Sequence, residues 1–526
     1  MKRALLLACL VLGAASPALG RVGFGDPMEP WREREPGQWL RFDGYLRLRG
    51  ALYGNLDLDR GPSPTTGKPL WPDGETPLDV TAGSDLRARL KPSVFLGDEV
   101  RLVFEVDVLD GVALGQSPRG APYKGRPAIV AGTTFQDPIG VLDGAFQVRS
   151  AYAEVALPFG VLSVGRGPSH FGLGIAANAG DDLDDDVGDR ADRVAFVTPL
   201  FGHYLGASFD WAAAGPRGID PASAPAARRI SDAQQSVSLS LLRYRAPWEV
   251  ELYRAAGRLV LDYGVAGSAQ WQHKDAPSFY QDLEDALSGG ASTRVRRDYL
   301  GLVLDVWGRL VYGPLRVEAE AVAAQVHIDN PSPWPGVEMR QPVAGNPFGV
   351  VLQAEYLVFE DALSLLAEGG VASADPGYGF PLDEPSAFAG ARPGDVTGPQ
   401  LDVPRDARLD AFRFHPSYRV DLILWRTLLG GVSEAAYGRF AVRARPFAAL
   451  ALELSSIYSH GIYAERTPGG VGPLGVEVDG AATFRYGAFS LRTDLGVLVP
   501  LGGLGARGGP APGVAHMLLV RLGYEA

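Results

Sequence analysis

The stretch Leu40-Arg41-Phe42-Asp43-Gly44-Tyr45-Leu46-Arg47-Leu48-Arg49-Gly50-Ala51-Leu52-Tyr53 alternates apolar and charged side chains. On an extended chain, one face carries Leu40, Phe42, Leu46, Leu48 and Leu52, and the opposite face carries Arg41, Asp43, Arg47 and Arg49. Successive side chains of a β-strand point to opposite faces, so this period of two predicts a strand. One face meets an apolar medium, while the other tolerates full charges.

The same alternation recurs along the chain in pieces of about ten residues, which is typical of barrel strands. Strands are predicted near 40–54, 84–96, 99–109, 145–157, 160–167, 192–199, 203–213, 234–245, 258–273, 296–312, 314–328, 348–359, 363–374, 434–446, 448–462, 474–487, 488–500 and 513–524. Their connections alternate between short and long, and the longer connection 246–257 is expected to hold a helical turn. This rhythm predicts an all-β fold: a single transmembrane antiparallel up-and-down β-barrel of about 18 strands (16–20). Its short turns would be periplasmic and its long loops extracellular.

Aromatic residues lie at or beside the eight short connections: Phe95, Phe159, Phe201, Trp248, Tyr312, Phe359, Phe447 and Tyr486. A ring of aromatic side chains at one level is typical of a lipid–water interface. The simpler alternative is that aromatic residues favour strands in general. A soluble β-sandwich or propeller would also alternate, but it does not explain arginines opposite Phe440 on a hidden face.

The first twenty residues have the features of a secretory signal. Lys2 and Arg3 precede an apolar run, and Ala18-Leu19-Gly20 resembles a cleavage site. The alternative is a lipoprotein modified at Cys9, the single cysteine. The predicted organisation is a signal peptide (1–20), a periplasmic N-terminal segment (21–38) and a transmembrane barrel (39–526). No later stretch reaches 18 uncharged apolar residues, so the sequence excludes helical membrane spans.

Composition excludes several function classes. The net charge of −12 and the lack of a basic tail argue against nucleic-acid binding. The seven histidines form no close metal-binding spacing, and no catalytic constellation is apparent, so we expect neither an enzyme nor a resident cofactor.

The polar faces of the strands predict the lining of the lumen. The first three strands place Arg41, Arg47, Arg49, Arg87, Arg89 and Arg101 there. Strands ten to thirteen contribute Asp305, Glu318, Glu320, Glu355 and Glu368, and strand fourteen adds Arg439, Arg443 and Arg445. A basic wall opposite an acidic wall would create a transverse field and set ion preference. Alternatively, these charges pair with neighbours on adjacent strands, and codon bias explains the abundance of arginine.

Two long loops are candidates for narrowing or plugging the lumen. Residues 110–144 are rich in Gly and Pro, and residues 375–433 contain the apolar segment 412–429. That segment is either a constriction loop or a further hairpin (405–414 and 418–429), which would raise the strand count to twenty.

An acidic loop extends from Gly180 to Asp189, with Asp192 after it. Asp182, Asp184 and Asp186 alternate as oxygen ligands of Ca²⁺ do, although the spacing misses an EF-hand loop. The 180–192 loop is therefore a candidate calcium site. Bridging to lipopolysaccharide through divalent ions, or simple solvation, are the alternatives.

Three short pieces carry a family resemblance: Leu40-Arg41-Phe42-Asp43-Gly44-Tyr45, Arg149-Ser150-Ala151-Tyr152-Ala153-Glu154 and Gly165-Arg166-Gly167-Pro168-Ser169-His170-Phe171-Gly172-Leu173-Gly174. They resemble porin-like outer-membrane proteins of myxobacteria and their relatives, and more distantly the alginate-export type of channel. The resemblance implies a Gram-negative outer-membrane location and passive or substrate-selective diffusion, with an arginine-lined lumen in the export type. Together with the arginines of the strands, it leads us to expect a channel for small anionic solutes or polysaccharide. Expected partners are outer-membrane lipid, lipopolysaccharide, small solutes and, during insertion, the barrel-assembly machinery. The alternative function is a surface receptor or adhesin with a plugged lumen, acting through its long loops.

Overall fold

The computed structural model describes residue 34 and residues 37–60, 80–113, 146–212, 234–275, 295–330, 342–359, 362–376 and 408–525. The strands are β1 (Leu40–Gly54), β2 (Val80–Leu96), β3 (Val100–Ala113), β4 (Phe146–Leu157), β5 (Gly160–Pro168), β6 (Arg190–Leu200), β7 (His203–Ala212), β8 (Gln234–Arg243), β9 (Val260–Asp275), β10 (Val295–Tyr312), β11 (Leu315–Ile328), β12 (Val343–Gly345), β13 (Phe348–Val358), β14 (Leu363–Ala372), β15 (Ala435–Phe447), β16 (Leu450–Gly461), β17 (Pro473–Tyr486), β18 (Phe489–Pro500) and β19 (Ala515–Glu525). One α-helix, α1 (Pro247–Ala255), lies between β8 and β9, where the sequence predicts a helical turn.

The strands close into one antiparallel barrel. Each barrel strand pairs with its neighbours in the chain, and β1 also pairs with β19, which removes both edges. The short strand β12 pairs with the last residues of β11, beyond the part of β11 that pairs with β13. It is therefore an addition to a wall of 18 strands. The predicted architecture and strand count are confirmed.

The outer face of the wall is apolar and the inner face is polar. On β1, Leu46 and Leu52 are each 46% exposed, whereas Arg47 is 1% and Arg49 is 4% exposed. This is the reverse of a soluble protein, where leucine is usually buried and arginine exposed. The described strands therefore have the side-chain distribution of a membrane-spanning barrel, not of a sandwich or propeller.

Exposed aromatic side chains mark the end of the barrel with short turns. They are Phe159, Phe201, Tyr312, Phe359, Phe447 and Tyr486. One residue of the predicted ring lies elsewhere, and another is carried by the helix. Phe95 shares the inward face of β2 with Arg87 and Arg89, and the Arg34 guanidinium lies 5.0 Å from its ring centroid. Trp248 belongs to α1, whose opposite face packs Val250 against the inward-facing Val260.

The other end of the apolar belt is marked by a row of paired residues on the outer face. Arg166 and Asp192 form an ion pair of 2.8 Å, and the row continues through Trp211, Gln235 and Trp271. About nine residues of β6 separate this row from the ring at the short-turn end. A tilted strand of that length spans a height of about 25 Å, the thickness of the apolar band in outer-membrane barrels.

None of the helices in the described residues is long and apolar enough to cross a membrane. The predicted signal peptide, most of the segment 21–38 and nearly all of the 110–144 loop lie outside the described residues. The predicted further hairpin over 405–414 and 418–429 is wrong. Strand β14 pairs directly with β15, and the chain over Leu424–Leu429 forms a single π-helical turn.

Candidate functional site

Two of the long loops fold into the lumen, where their side chains meet the inward faces of the strands. Loop L3 comprises residues 169–189, between β5 and β6. Loop L7 comprises residues 373–434, between β14 and β15, and is described at 373–376 and 408–434. Together they build a core inside the barrel, with Ile175 of L3 and Phe414, Ile423 and Leu424 of L7 all buried in it. L7 is thus the constriction loop that its apolar sequence indicates.

L3 carries a compact acidic projection, residues 180–188, which we call the acidic finger. Gly180 has φ +61°, and a Cβ there would lie 1.8 Å from the Val187 carbonyl oxygen. A Cβ on Gly188 would lie 2.0 Å from the Ala179 carbonyl oxygen. The two chain segments therefore touch backbone to backbone, and only glycine fits at the two positions of this neck.

The carboxylates of the finger lie among arginines from three separate parts of the chain. Asp184 lies 2.7 Å from Arg419, 2.7 Å from Arg426, 2.5 Å from Arg521 and 3.5 Å from Arg49. These guanidinium groups outweigh the effect of burial and hold the pKa of Asp184 well below its usual range.

Asp186 makes an equivalent set of contacts on the wall itself. It lies 2.8 Å from Arg49, 3.1 Å from Arg47 and 3.3 Å from Arg87. Its pKa is also well below the usual range, because the attraction of these arginines exceeds the cost of burial. The predicted basic wall therefore faces the aspartates of L3.

Strand residues complete the pairing of this wall. Asp85 bridges Arg47 at 2.8 Å and Arg49 at 2.7 Å, and Asp107 lies 2.6 Å from Arg89. Arg89 also donates to the Gly180 carbonyl oxygen at 3.1 Å.

The other part of L3 is held by the predicted acidic wall. The carboxylate of Glu320 accepts hydrogen bonds from the backbone N–H groups of Leu173, Gly174 (2.9 Å) and Ile175 (3.2 Å). L3 thus bridges the lumen, with its aspartates against the arginines and its backbone donors against Glu320. Asp305, on the neighbouring strand β10, is buried.

L7 is anchored by a carboxylate in a similar way. Glu477 of β17 accepts hydrogen bonds from the backbone N–H groups of Leu422 (2.9 Å), Ile423 (2.6 Å) and Leu424 (2.9 Å). The Trp425 indole N–H donates to the Ser459 hydroxyl at 2.9 Å. These contacts satisfy the first donors of the π-helical turn, which would otherwise be buried without partners.

Asp421 precedes the same turn and accepts from the backbone N–H groups of Trp425 (3.0 Å) and Arg426 (3.1 Å). Burial, together with the nearby Asp479, raises the pKa of Asp421 to about 7.

L3 and L7 are joined directly as well as through the wall. Ser417 donates to the Val187 carbonyl oxygen at 2.7 Å, and the His415 backbone N–H donates to the Ile175 carbonyl oxygen at 2.8 Å. The His415 ring lies 3.5 Å from Asp189. With the two arginines of L7 on Asp184, these contacts make the two loops one interlocked unit.

The remaining predicted lumen residues form ion pairs along the wall. Glu368 accepts from the hydroxyls of Tyr418 (2.8 Å) and Tyr437 (2.6 Å). Glu453 accepts from Arg439 at 2.6 Å and Arg443 at 2.9 Å.

Near the short-turn end the charges are more accessible to water. Arg316 lies between Glu318 and Glu355, and Arg101 lies 3.5 Å from Glu154. Arg41 lies 2.9 Å from Asp43, with 39% of its side chain exposed. Arg445 is exposed near the end of β15.

The residues predicted to bind calcium do not fit such a site. Asp184 and Asp186 are turned toward guanidinium groups, which take the place expected for the metal. Asp182 is exposed, unlike the buried Asp184. Among the described residues, no three His, Cys, Asp or Glu side chains are placed to hold a metal ion together.

Several residues of the filled lumen are missing from the sequence prediction. Arg521 and Glu477 could have been found, since each occupies an inward-facing position in an alternating strand. Arg419 and Arg426 lie in a loop without periodicity, so no local pattern indicates their role.

No protein-family model matches the chain, and no curated protein matches it. Solved structures similar to the barrel include OccK8 (OprE) of Pseudomonas aeruginosa, with a TM-score of 0.45 and 10% identity over 92% of this chain and 98% of that one. An anion-selective porin from Comamonas acidovorans has a TM-score of 0.40 and 10% identity over 93% of this chain and 99% of that one. The outer-membrane channel DcaP of Acinetobacter baumannii has a TM-score of 0.38 and 11% identity over 93% of this chain and 97% of that one.

Proposed function

We propose that this protein is a porin-like channel of the Gram-negative outer membrane, narrowed at mid-height by L3 and L7 and selective for small anionic solutes. The observation that carries the proposal is the inverted wall, with leucines exposed outside and arginines inside a closed barrel. Such a cylinder is stable only where hydrocarbon surrounds it, and its charged interior provides a polar route across the membrane.

Preference for anions is supported by the arginines that remain accessible below the loops. Arg443 has 30% of its side chain exposed, and Arg445 is exposed. Arginine stays ionised at any relevant pH and presents a fixed set of donors to carboxylate or phosphate. Polysaccharide as a solute, contacts with lipopolysaccharide, insertion by the barrel-assembly machinery and kinship with the myxobacterial proteins belong to the same proposal.

Conductance and reversal potential of the purified protein in a planar bilayer test the proposal. We expect discrete conductance steps and a reversal potential of the anion-selective sign. The double substitution Arg443→Gln and Arg445→Gln should shift the reversal potential toward cations. The matched control is Arg166→Gln, on the lipid-facing side, which should leave it unchanged. Cation selectivity of the unmodified protein would refute the arginine argument.

A second candidate function is a surface receptor or adhesin with a plugged lumen. The interlock of L3 and L7 favours it, because the two loops meet walls on opposite sides of the barrel. Complete absence of conductance, with the barrel correctly folded, would select this function over the channel.

A further inference from the structure

The acidic finger contacts its arginines as a bound carboxylate ligand would. Asp184 and Asp186 are two residues apart, and each engages at least three guanidinium groups within 3.5 Å. Planar guanidinium groups recognise carboxylates with strong, directional hydrogen bonds, whether the carboxylate belongs to the chain or to a solute.

We propose that the arginine cluster formed by Arg47, Arg49, Arg87, Arg419, Arg426 and Arg521 is a binding site for multivalent carboxylate solutes, which the acidic finger occupies as a tethered competitor until a solute displaces it. The inference rests on the proposed channel function and names the solute class and the way the channel opens.

The finger is held by different contacts from the rest of L3. Its neck is the backbone contact at Gly180 and Gly188, while Glu320 and the His415 backbone hold the Leu173–Ile175 part of the loop in place. Between neck and tip, most of its contacts are ionic. Its one leucine, Leu183, packs against Gly523 of β19, where a Cβ would lie 2.6 Å from the Leu183 Cδ2 atom.

The charges of the cluster determine which solutes can open the channel. Withdrawal of the finger alone would remove the carboxylates of Asp184 and Asp186 from six arginines. Arg47 and Arg49 would keep Asp85, and Arg521 would keep Asp494, but the loss is still unfavourable in a buried site. A solute with two or more carboxylates restores those contacts, so it shifts the equilibrium toward the displaced state. The Arg49 guanidinium contacts both Asp184 and Asp186, so the two carboxylates of a competing solute must be close enough to share it. Chloride and monocarboxylates cannot bridge the cluster.

The first experiment compares single-channel conductance with and without oligo-glutamate, using acetate at equal ionic strength as the control. Oligo-glutamate should raise the open fraction of the unmodified protein about twofold or more, and acetate should not. The variant Asp184→Asn with Asp186→Asn should show that higher open fraction without any polyanion. The matched control Asp192→Asn, on the outer face, should behave as the unmodified protein does.

The second experiment keeps the aspartates and locks the finger instead. The only cysteine of the chain is Cys9, so Leu183→Cys with Gly523→Cys, in a Cys9→Ala background, introduces one disulfide between finger and wall. Under oxidising conditions oligo-glutamate should have no effect on this variant, and reduction should restore the response.

These outcomes separate the two proposals. Conductance that is indifferent to oligo-glutamate, to the aspartate substitutions and to the disulfide would overturn the competitor role and leave the channel intact. If no form conducts, including the folded aspartate variant, the channel function itself is refuted. Retained heat-modifiable mobility on gels shows that each variant is folded.

Discussion

L3 and L7 reach the same region of the lumen but are held there by different forces. The finger of L3 depends on charge, because Asp184 and Asp186 form seven ion pairs with six arginines of β1, β2, β19 and L7. L7 depends on apolar burial, with Ile423, Leu424 and Trp425 at most 1% exposed. Two loops with similar positions can therefore respond differently to salt, pH and solutes. Apolar packing fixes L7, and ion pairing leaves the finger open to competition.

The largest effect is expected where L7 packs most tightly. Trp425→Ala removes a fully buried indole and its hydrogen bond to Ser459, so L7 should lose about 3–5 kcal/mol of local stability. Hydrogen exchange over residues 422–428 measures this loss. Exchange of the finger should change much less, and Leu452→Ala on the lipid side is the control. An equal increase in the exchange rates of L7 and of the finger would contradict the claim that apolar packing stabilises L7 more than the finger.

The two anchoring carboxylates allow a direct comparison of the loops. Glu477→Ala leaves three backbone N–H groups of L7 without their acceptor, and Glu320→Ala does the same for L3. Each buried unsatisfied donor costs about 1–3 kcal/mol, so hydrogen exchange should rise in the affected loop. The glutamine variants keep an acceptor and should recover part of the loss. Protection that is unchanged in both alanine variants would contradict these anchoring roles.

The pH dependence of L7 should differ from that of the aspartate–arginine contacts of the finger. The pKa of Asp421 is raised to about 7, so native L7 binds more protons than the unfolded loop, and its stability should fall as pH rises from about 4 to 7. The pKa values of Asp184 and Asp186 are lowered, so the stability that these two aspartates give the finger is present above about pH 4 and is lost in stronger acid. Burial raises the pKa of Asp185, which is also in the finger, so its contribution has the opposite sign. Hydrogen exchange of the two loops between pH 3 and 8, corrected for the intrinsic rate, measures both.

Asp421→Asn should weaken the dependence of L7 in that window and leave the finger unaffected. A finger that loosens between pH 8 and 5 would contradict the assignment of its stability to charged aspartates.

The smallest effect is expected at the exposed ion pair of Arg166 and Asp192. This pair measures how much an ion pair outside the lumen contributes to stability. About half of each side chain is exposed, at 47% and 51%, so replacing both with alanine should cost less than about 1 kcal/mol of stability. Thermal unfolding in detergent micelles measures the change. A loss as large as that from Trp425→Ala would mean that the comparison between buried and exposed charge is wrong.

The barrel could be predicted because its signal is local. Each strand shows its own period of two, so β1 or β10 can be recognised without knowing its neighbours. The inward face of β2 was also readable, since Phe95 has the same parity as Arg87 and Arg89. Because Phe95 lies an even number of residues from Arg87 and Arg89, it faces the lumen and does not belong to the aromatic ring.

The filling of the lumen could not be predicted, because its contacts join distant parts of the chain. Asp184 meets arginines from β1, L7 and β19, and nothing near Asp184 indicates them. The acidic loop therefore suggested calcium, although its counter-charges come from the protein itself. The apolar character of L7 indicated burial, but its anchor Glu477 lies about fifty residues further along the chain, so a hairpin and a constriction were equally consistent with the local sequence.

Reversal potential across a bilayer that separates two concentrations of potassium chloride tests the central claim most directly, because it requires both an aqueous route and a net positive lining. Stepwise currents whose zero-current voltage has the sign set by chloride would agree with a narrowed, arginine-lined channel. A silent membrane with correctly folded protein inserted, or a zero-current voltage set by potassium, would contradict it.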